Sequence, residues 1–218
     1  MDRNTRARIT SLYDTRLQRG YVKGKLASDP VYAATAALLA GTQLPLLDIG
    51  CGLGLLGHFL HAQGHRQPYV GLDHDVRKIN AAQRAVHRAG LDAVMSLRHG
   101  DATAFPTLHG HVTLLDVLHY LPREQQQALL LMATRQLAPQ GILIIRNVLR
   151  EPNWRFQATR LEEFFLRTSG WIRGGVQHYP SADELRGTLE SAGLDVHIES
   201  LRGRTPFNSY LIVAQPHR

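Results

Sequence analysis

The chain has 218 residues, 44% of them hydrophobic, with a net charge of +7 and a single cysteine. That length suits one domain with a full core, and one cysteine excludes both a disulfide framework and a cysteine-rich zinc site, which fits a reducing, cytoplasmic setting. Met1 to Thr10 is polar and charged and no apolar run reaches the ~18 residues of a membrane span, so neither a secretion signal nor a transmembrane helix is expected.

Residues 1–43 open the chain with a basic segment. Arg3, Arg6, Arg8, Arg16, Arg19, Lys23 and Lys25 against Asp2, Asp14 and Asp29 leave +4, more than half of the total. Such a surface suits an RNA phosphate, an acidic protein or an anionic substrate, or is simply a solvated helix. Tyr13, Leu17, Tyr21 and Leu26 give it a patchy apolar face, which predicts one or two helices over the edge of a sheet. Ser28, Asp29 and Pro30 read as the start of a further helix that ends at Gly41.

The core, residues 44–147, begins with Leu46 to Leu55 (LLDIGCGLGL). A short apolar run carrying Asp48 breaks into Gly50, Gly52 and Gly54, then resumes at helical spacing, which predicts a buried strand, a tight turn and a helix start. Glycines permit left-handed backbone and close approach of a ligand. Free amides at the helix start and the strand-end carboxylate would line a polar pocket at the carboxyl edge of the sheet. Gly52, Gly54 and Gly57 also fit the dinucleotide fingerprint G-x-G-x-x-G, with Asp73 near the expected spacing for a ribose-binding acid. The register separates the two readings. A carboxylate just before the glycines repels a pyrophosphate, whereas S-adenosylmethionine (SAM) has no phosphate and carries a sulfonium and an ammonium. Asp48 therefore argues for SAM. Cys51, inside the loop, is read as a small residue that fits rather than a nucleophile.

Further strands are predicted at 69–73, ending in Asp73 beside His74 and Asp75, at 94–99, at 112–116 and at 141–146. Helices follow the 69–73 strand, to Gly90, and occupy 123–137. This alternation implies parallel βαβ units with right-handed crossovers. Asp75 reads as a helix cap; Asp73 is placed to accept ribose hydroxyls, and Asp101 either accepts from an adenine amino group or is a turn residue. Segment 148–180 interleaves Trp154, Phe156, Phe164, Phe165 and Trp171 with Arg155, Arg160, Arg167 and Arg173. It is expected to be a lid over an apolar or aromatic acceptor, an interfacial helix with peripheral membrane contact, or a packed core or dimer interface. Residues 181–218 then supply a helix and two strands whose linker is too short for a crossover, hence an antiparallel hairpin.

The glycine loop, Asp73, Gly100 to Ala102, Asp116 to Leu121 (DVLHYL), the Pro139 to Gly141 turn and the final hairpin occur in the order seen in class I SAM-dependent methyltransferases, and residues 44–214 resemble that family. The resemblance implies an α/β, Rossmann-like doubly wound sheet of seven strands, mostly parallel with a C-terminal antiparallel hairpin, plus N-terminal helices. It implies SAM as cofactor, its methionine part held by Asp48, Gly50, Cys51, Gly52 and Gly54, its ribose by Asp73 with His74 beside it, its adenine flanked by Asp101 and Ala102, and Asp116 and Val117 as the floor near the methyl donor. The Val117 to Tyr120 run is similar to that of small-molecule methyltransferases, including ubiquinone and menaquinone C-methyltransferases.

Methyl transfer then needs alignment and, for oxygen or nitrogen acceptors, removal of a proton. His119 is the candidate base or a supporting residue, with His178 and Tyr179 as second candidates. Tyr21, Lys25, Trp154 and Phe165 are candidates for the acceptor site. The run Tyr21 to Lys25 with Asp29 and Pro30 also resembles methyltransferases of aryl-polyene pigment clusters, which implies an acceptor riding on an acidic carrier protein. An RNA methyltransferase and a non-catalytic nucleotide-binding protein are the alternatives. No Asn/Asp-Pro-Pro-Tyr/Phe motif or catalytic cysteine pair supports the first, and an intact loop argues against the second. No metal site is expected, and the oligomeric state is left open.

Overall fold

The structure, a computed structural model, describes residues 1–101, 107–151, 176–201 and 208–217. Seven strands form one sheet: β1 (Leu46–Ile49), β2 (Tyr69–Asp73), β3 (Met95–His99), β4 (His111–Leu115), β5 (Leu143–Val148), β6 (Leu194–Ser200) and β7 (Ser209–Pro216). Their order is β3-β2-β1-β4-β5-β7-β6. β7 inserts between β5 and β6 and runs antiparallel to both; the other six strands point one way. The short 201–208 connection forces this reversal, as the sequence predicts.

Helices cover both faces. α1 (Arg3–Ser11), α2 (Arg16–Ser28), α3 (Val31–Leu38), α4 (Leu55–Ala62) and α5 (Val76–Arg88) contribute to one apolar cluster; α6 (Arg123–Arg135) and α7 (Ala182–Ser191) contribute to the other. Strand alternation divides the two cores. Leu46 and Ile144 belong to the first and their neighbours Leu47 and Ile145 to the second, all fully buried. Runs such as Leu143 to Ile145 are apolar throughout because both faces are covered.

Local signals set the helix ends. Thr15 and Gln18 close a capping box at α2, and Ser181 and Glu184 do the same at α7. The chain winds one way from β1 through β2 and β3 and the other way from β4 through β5, so the order reverses between β1 and β4. In doubly wound sheets a ligand crevice opens at that point, past the carboxyl ends of the strands. The glycine loop follows β1 and Asp116 to Tyr120 follow β4, so both motifs meet there.

Candidate active site

The glycine loop takes left-handed backbone at all three of its alternate positions, Gly50 (φ 79°), Gly52 (φ 56°) and Gly54 (φ 72°). Two of them have different reasons to lack a side chain. A Cβ on Gly50 would stand 2.3 Å from Cγ2 of Val117, so Gly50 is where the loops after β1 and β4 pack together. A Cβ on Gly52 would meet nothing within 4 Å, so that turn faces open space where a bound ligand fits.

The loop amides are less available than the sequence suggests. The Gly50 and Cys51 amides donate to the Leu72 carbonyl at 2.7 and 3.0 Å, and the Gly52 amide donates to Asp73 Oδ2 at 2.8 Å. They fasten the loop to the end of β2 instead of reaching a ligand. Cys51 is buried with its sulfur against Gly71, and burial holds its thiol well above the ordinary range, so it fills space.

Asp48 sits behind this loop. It is 2% exposed, and its oxygens accept from the Tyr69 hydroxyl and from Thr113 Oγ1, the latter at 2.7 Å. Burial lifts Asp48 to about 6, against the pull of those two hydroxyls, and Asp73 adds to the rise. Asp48 thus ties β1, β2 and β4 into one polar network. Tyr69 and Thr113 are its unforeseen partners; a hydroxyl in the middle of an apolar strand, as in Val112 to Leu115, was the available signal.

Asp73 is 6% exposed at the tip of β2. Besides the Gly52 amide it accepts from the Asp75 amide at 2.8 Å, so two backbone donors fix its carboxylate while a carboxylate's further lone pairs remain for ribose hydroxyls. His74 is 85% exposed and contributes its carbonyl to His99. Asp101 lies exposed just past β3, and Ala102, Trp154 and Phe165 lie outside the described residues.

At the end of β4 stands a knot of four charges. Arg146, on β5, pairs with Asp116 and with Asp29, and Lys25 lies 3.0 Å from Asp29 and 3.5 Å from Asp116. Asp116 has left-handed backbone (φ 60°), unusual for a residue with a Cβ. Enclosure by protein would raise Asp116, but the attraction of Arg146 and Lys25 outweighs it and holds the acid at about 2. Burial likewise raises Tyr21, which feels Lys25, Asp116, Arg146 and Asp29. Asp29 also accepts the Val31 amide at 3.1 Å, so it caps α2 and α3 as well as pairing. Arg146 and Asp29 were not foreseen, although a cation ending the apolar run Leu143 to Ile145 is its own signal.

His119 follows in a 3-10 turn, Leu118–Tyr120, and is 2% exposed. Its Nδ1 is 2.9 Å from Oδ1 of Asn147, whose own amide nitrogen donates to the Val148 carbonyl at 2.8 Å. That second bond assigns the oxygen to the histidine side, so Nδ1 carries the hydrogen and Nε2 is the basic nitrogen. The Tyr179 ring stacks on His119 with centroids 6.1 Å apart and planes at 12°. The Gln177 amide donates to the His119 carbonyl at 2.9 Å, and buried Gln126 reaches the carbonyls of Leu118, Leu121 and His178 at 2.8 to 3.0 Å. His178 itself pairs with Glu184 at 3.2 Å in the cap of α7. The three predicted chemical residues therefore come together: His119 central, Tyr179 on its face, His178 directed to the α7 cap.

Residues 46–141 match the family model for a methyltransferase domain. Among solved structures, the magnesium protoporphyrin IX methyltransferase ChlM of Synechocystis, determined with S-adenosylhomocysteine (SAH), aligns over 97% of this chain and 94% of its own at 20% identity and TM-score 0.68. An O-methyltransferase family 2 protein of Planctomyces limnophilus in complex with apigenin aligns over 100% of this chain and 62% of its own, at 21% identity and TM-score 0.68. The [4+2]-cyclase SpnF shares the fold too, over 87% of this chain and 81% of its own, at 17% identity and TM-score 0.68. No curated protein matches the sequence. These solved structures, all at 21% identity or less, share the fold of this chain. The residues present suit SAM, with open space beside Gly52 and a fixed acid at Asp73. Among the described residues no helix is long and apolar enough to cross a membrane.

Proposed function

We propose that this enzyme methylates a small apolar or aromatic acceptor at an oxygen or nitrogen, with the acceptor delivered on an acidic carrier protein and His119 as the base. The observation that carries this reading is the His119–Asn147 pair, in the turn that follows β4. It holds one imidazole in a single tautomer, buried, with its basic nitrogen defined.

SAM supplies the methyl group and the leaving thioether. The chain supplies the rest. Asp73 and the Gly52 turn orient the cofactor's ribose and methionine portions; Val117, packed on Gly50, closes the floor. His119 takes the proton from the acceptor's hydroxyl or amine as the new bond forms, and Asn147 keeps the resulting imidazolium oriented. Asp116 is a poor base, since Arg146 and Lys25 hold it ionised and occupied. Two structural neighbours were solved as a porphyrin methyltransferase and as an apigenin complex, which favours a planar aromatic acceptor. The basic N-terminal segment favours an acidic partner. The reading includes a cytoplasmic location, which suits a SAM-dependent enzyme with a single, buried cysteine.

The test is SAH release from SAM with a panel of aryl acids, free and loaded on a holo-acyl carrier protein, using wild type and His119→Ala. The expected result is turnover by wild type on aromatic acceptors and a loss of about 10²-fold or more in kcat for the variant, with SAM affinity unchanged. Equal kcat in both would overturn the role of His119, and a wild type that binds SAM but turns over none of the panel, free or loaded, would overturn the aromatic acceptor.

A further inference from the structure

The helix that touches the site also has an outer face that nothing among the described residues covers. On the inner side of α2, Val22 and Leu26 are buried in the core, and Lys25 reaches Asp116. Arg16, Gly20, Lys23 and Ala27 recur at helical spacing on the opposite side, with Leu17 and Gly24 along one flank, and all six are exposed. Leu17 is 67% exposed. Arg16 and Lys23 make no ion pair among the described residues, and this face carries no acid.

Two glycines four apart in the middle of a 13-residue helix run against helix propensity. A Cβ built on Gly20 or Gly24 meets nothing within 4 Å, so no packing among the described residues accounts for either. What they create is a shallow trough, bounded by a cation on one side and by Leu17 on the other, along which another backbone can approach closely. Both glycines have ordinary helical backbone, so the turn of the chain does not need them.

We infer that this face of α2 docks an acidic helix of the protein that delivers the acceptor; the inference rests on the carrier reading proposed above and gives it a surface. Charge complementarity selects that occupant. A second copy of this chain would bring Arg16 and Lys23 of both copies into one interface with no acid to offset them. A membrane surface would need a broad apolar face, and here the apolar face of α2 is turned inward with only Leu17 outside. An acidic helix satisfies the two cations, covers Leu17 and lies in the glycine trough. The same α2 then links partner and site, since Tyr21 and Lys25 stand on its inner side.

The probe is a fluorescein-labelled, purified holo-acyl carrier protein, titrated by anisotropy against wild type, Gly20→Leu/Gly24→Leu and Arg16→Glu/Lys23→Glu. SAM titration and thermal unfolding serve as controls. The leucine pair replaces poor helix formers with good ones at open positions, so that variant is expected to unfold at higher temperature and to bind SAM as wild type does. Carrier affinity is expected to drop about tenfold or more in both variants, and in wild type to weaken steeply with added salt. Wild-type affinity in both variants would overturn the surface while leaving the carrier reading intact. A wild type that binds SAM but no carrier would overturn the carrier reading and the surface with it. Binding of wild type to phosphatidylglycerol vesicles, lost in the variants, would assign the face to a lipid surface and overturn the protein partner.

Discussion

The Tyr13 hydroxyl donates to the Leu53 carbonyl at 2.7 Å, a bond between the N-terminal helices and the centre of the glycine loop. It is one of three fastenings. Asp14 pairs with Arg84 and Arg88 on α5, and Lys25 and Asp29 meet Asp116 and Arg146 at the ends of β4 and β5. The N-terminal segment is thereby tied to the glycine loop, to α5 and to the ends of β4 and β5. Order in the N-terminal segment and order in the cofactor loop are coupled.

Tyr13→Phe tests that coupling. Tyr13 is fully buried, so the phenyl ring keeps its packing while the Leu53 carbonyl loses its donor. The expected cost is about 1–2 kcal/mol in urea unfolding, together with weaker SAM binding. Loss of stability with unchanged SAM affinity would show that the loop holds its shape without the N-terminal helices.

A base and a supporting residue at position 119 respond differently to Asn147. With Asn147→Asp, the acceptor opposite Nδ1 becomes a carboxylate, which raises the basicity of Nε2. If His119 removes the acceptor proton, the acidic limb of the kcat profile moves to higher pH while KM for SAM stays put. If the histidine only shapes the turn, the limb stays where it is. Asn147→Leu should then lower kcat by about tenfold or more only in the first case.

What the sequence made legible follows from spacing. Period-2 and unbroken apolar runs located all seven strands to within two residues or so, and a linker too short for a helix fixed the final hairpin. Backbone geometry was legible where one residue type at one turn has one use, as in the left-handed turns at Gly50, Gly52 and Gly54. It was not legible where a role depends on partners distant in the chain. Asp29 read as a helix start, yet it meets Arg146, 117 residues away. Asp48 read as a ligand-binding acid, yet Tyr69 and Thr113 take its oxygens, because strand register sets Asp48 beside Thr113. Asn147 and Gln126 gave no signal at all: amides report their function only through what faces them.

The four-charge knot yields a prediction about removal of one member. Arg146→Met leaves Asp116 and Asp29 with Lys25 alone, in a place where Arg146 is largely enclosed. A cost of about 3–5 kcal/mol is expected, since stranded charges lose more than a pair gains. Asp116 lies below its ordinary value in the folded protein, so its share of stability is present above about pH 4 and vanishes as pH falls toward about 2. Arg146→Met should abolish most of that acid dependence, read as the difference in urea midpoint between pH 5 and pH 3.

Two buried groups oppose each other between pH 4 and 6.5. Burial, aided by His61, lowers His58 to about 4, so the neutral ring is favoured in the fold. Its share of stability is complete above about 6.5 and is lost as pH falls to about 4. Asp48 has the reverse sign: lifted to about 6 by burial, it binds its proton more tightly folded than unfolded. Its share grows as pH falls from about 6 toward 4. Each amounts to about 2–3 kcal/mol, so the wild-type urea midpoint should be nearly flat across this range. His58→Leu removes one slope and should leave a protein that gains stability on acidification. Asp48→Asn removes the other and should leave one that loses it. A double variant flat at all pH values in this window completes the test; slopes of the same sign in the two single variants would show that one of these two groups is not shifted as the burial implies.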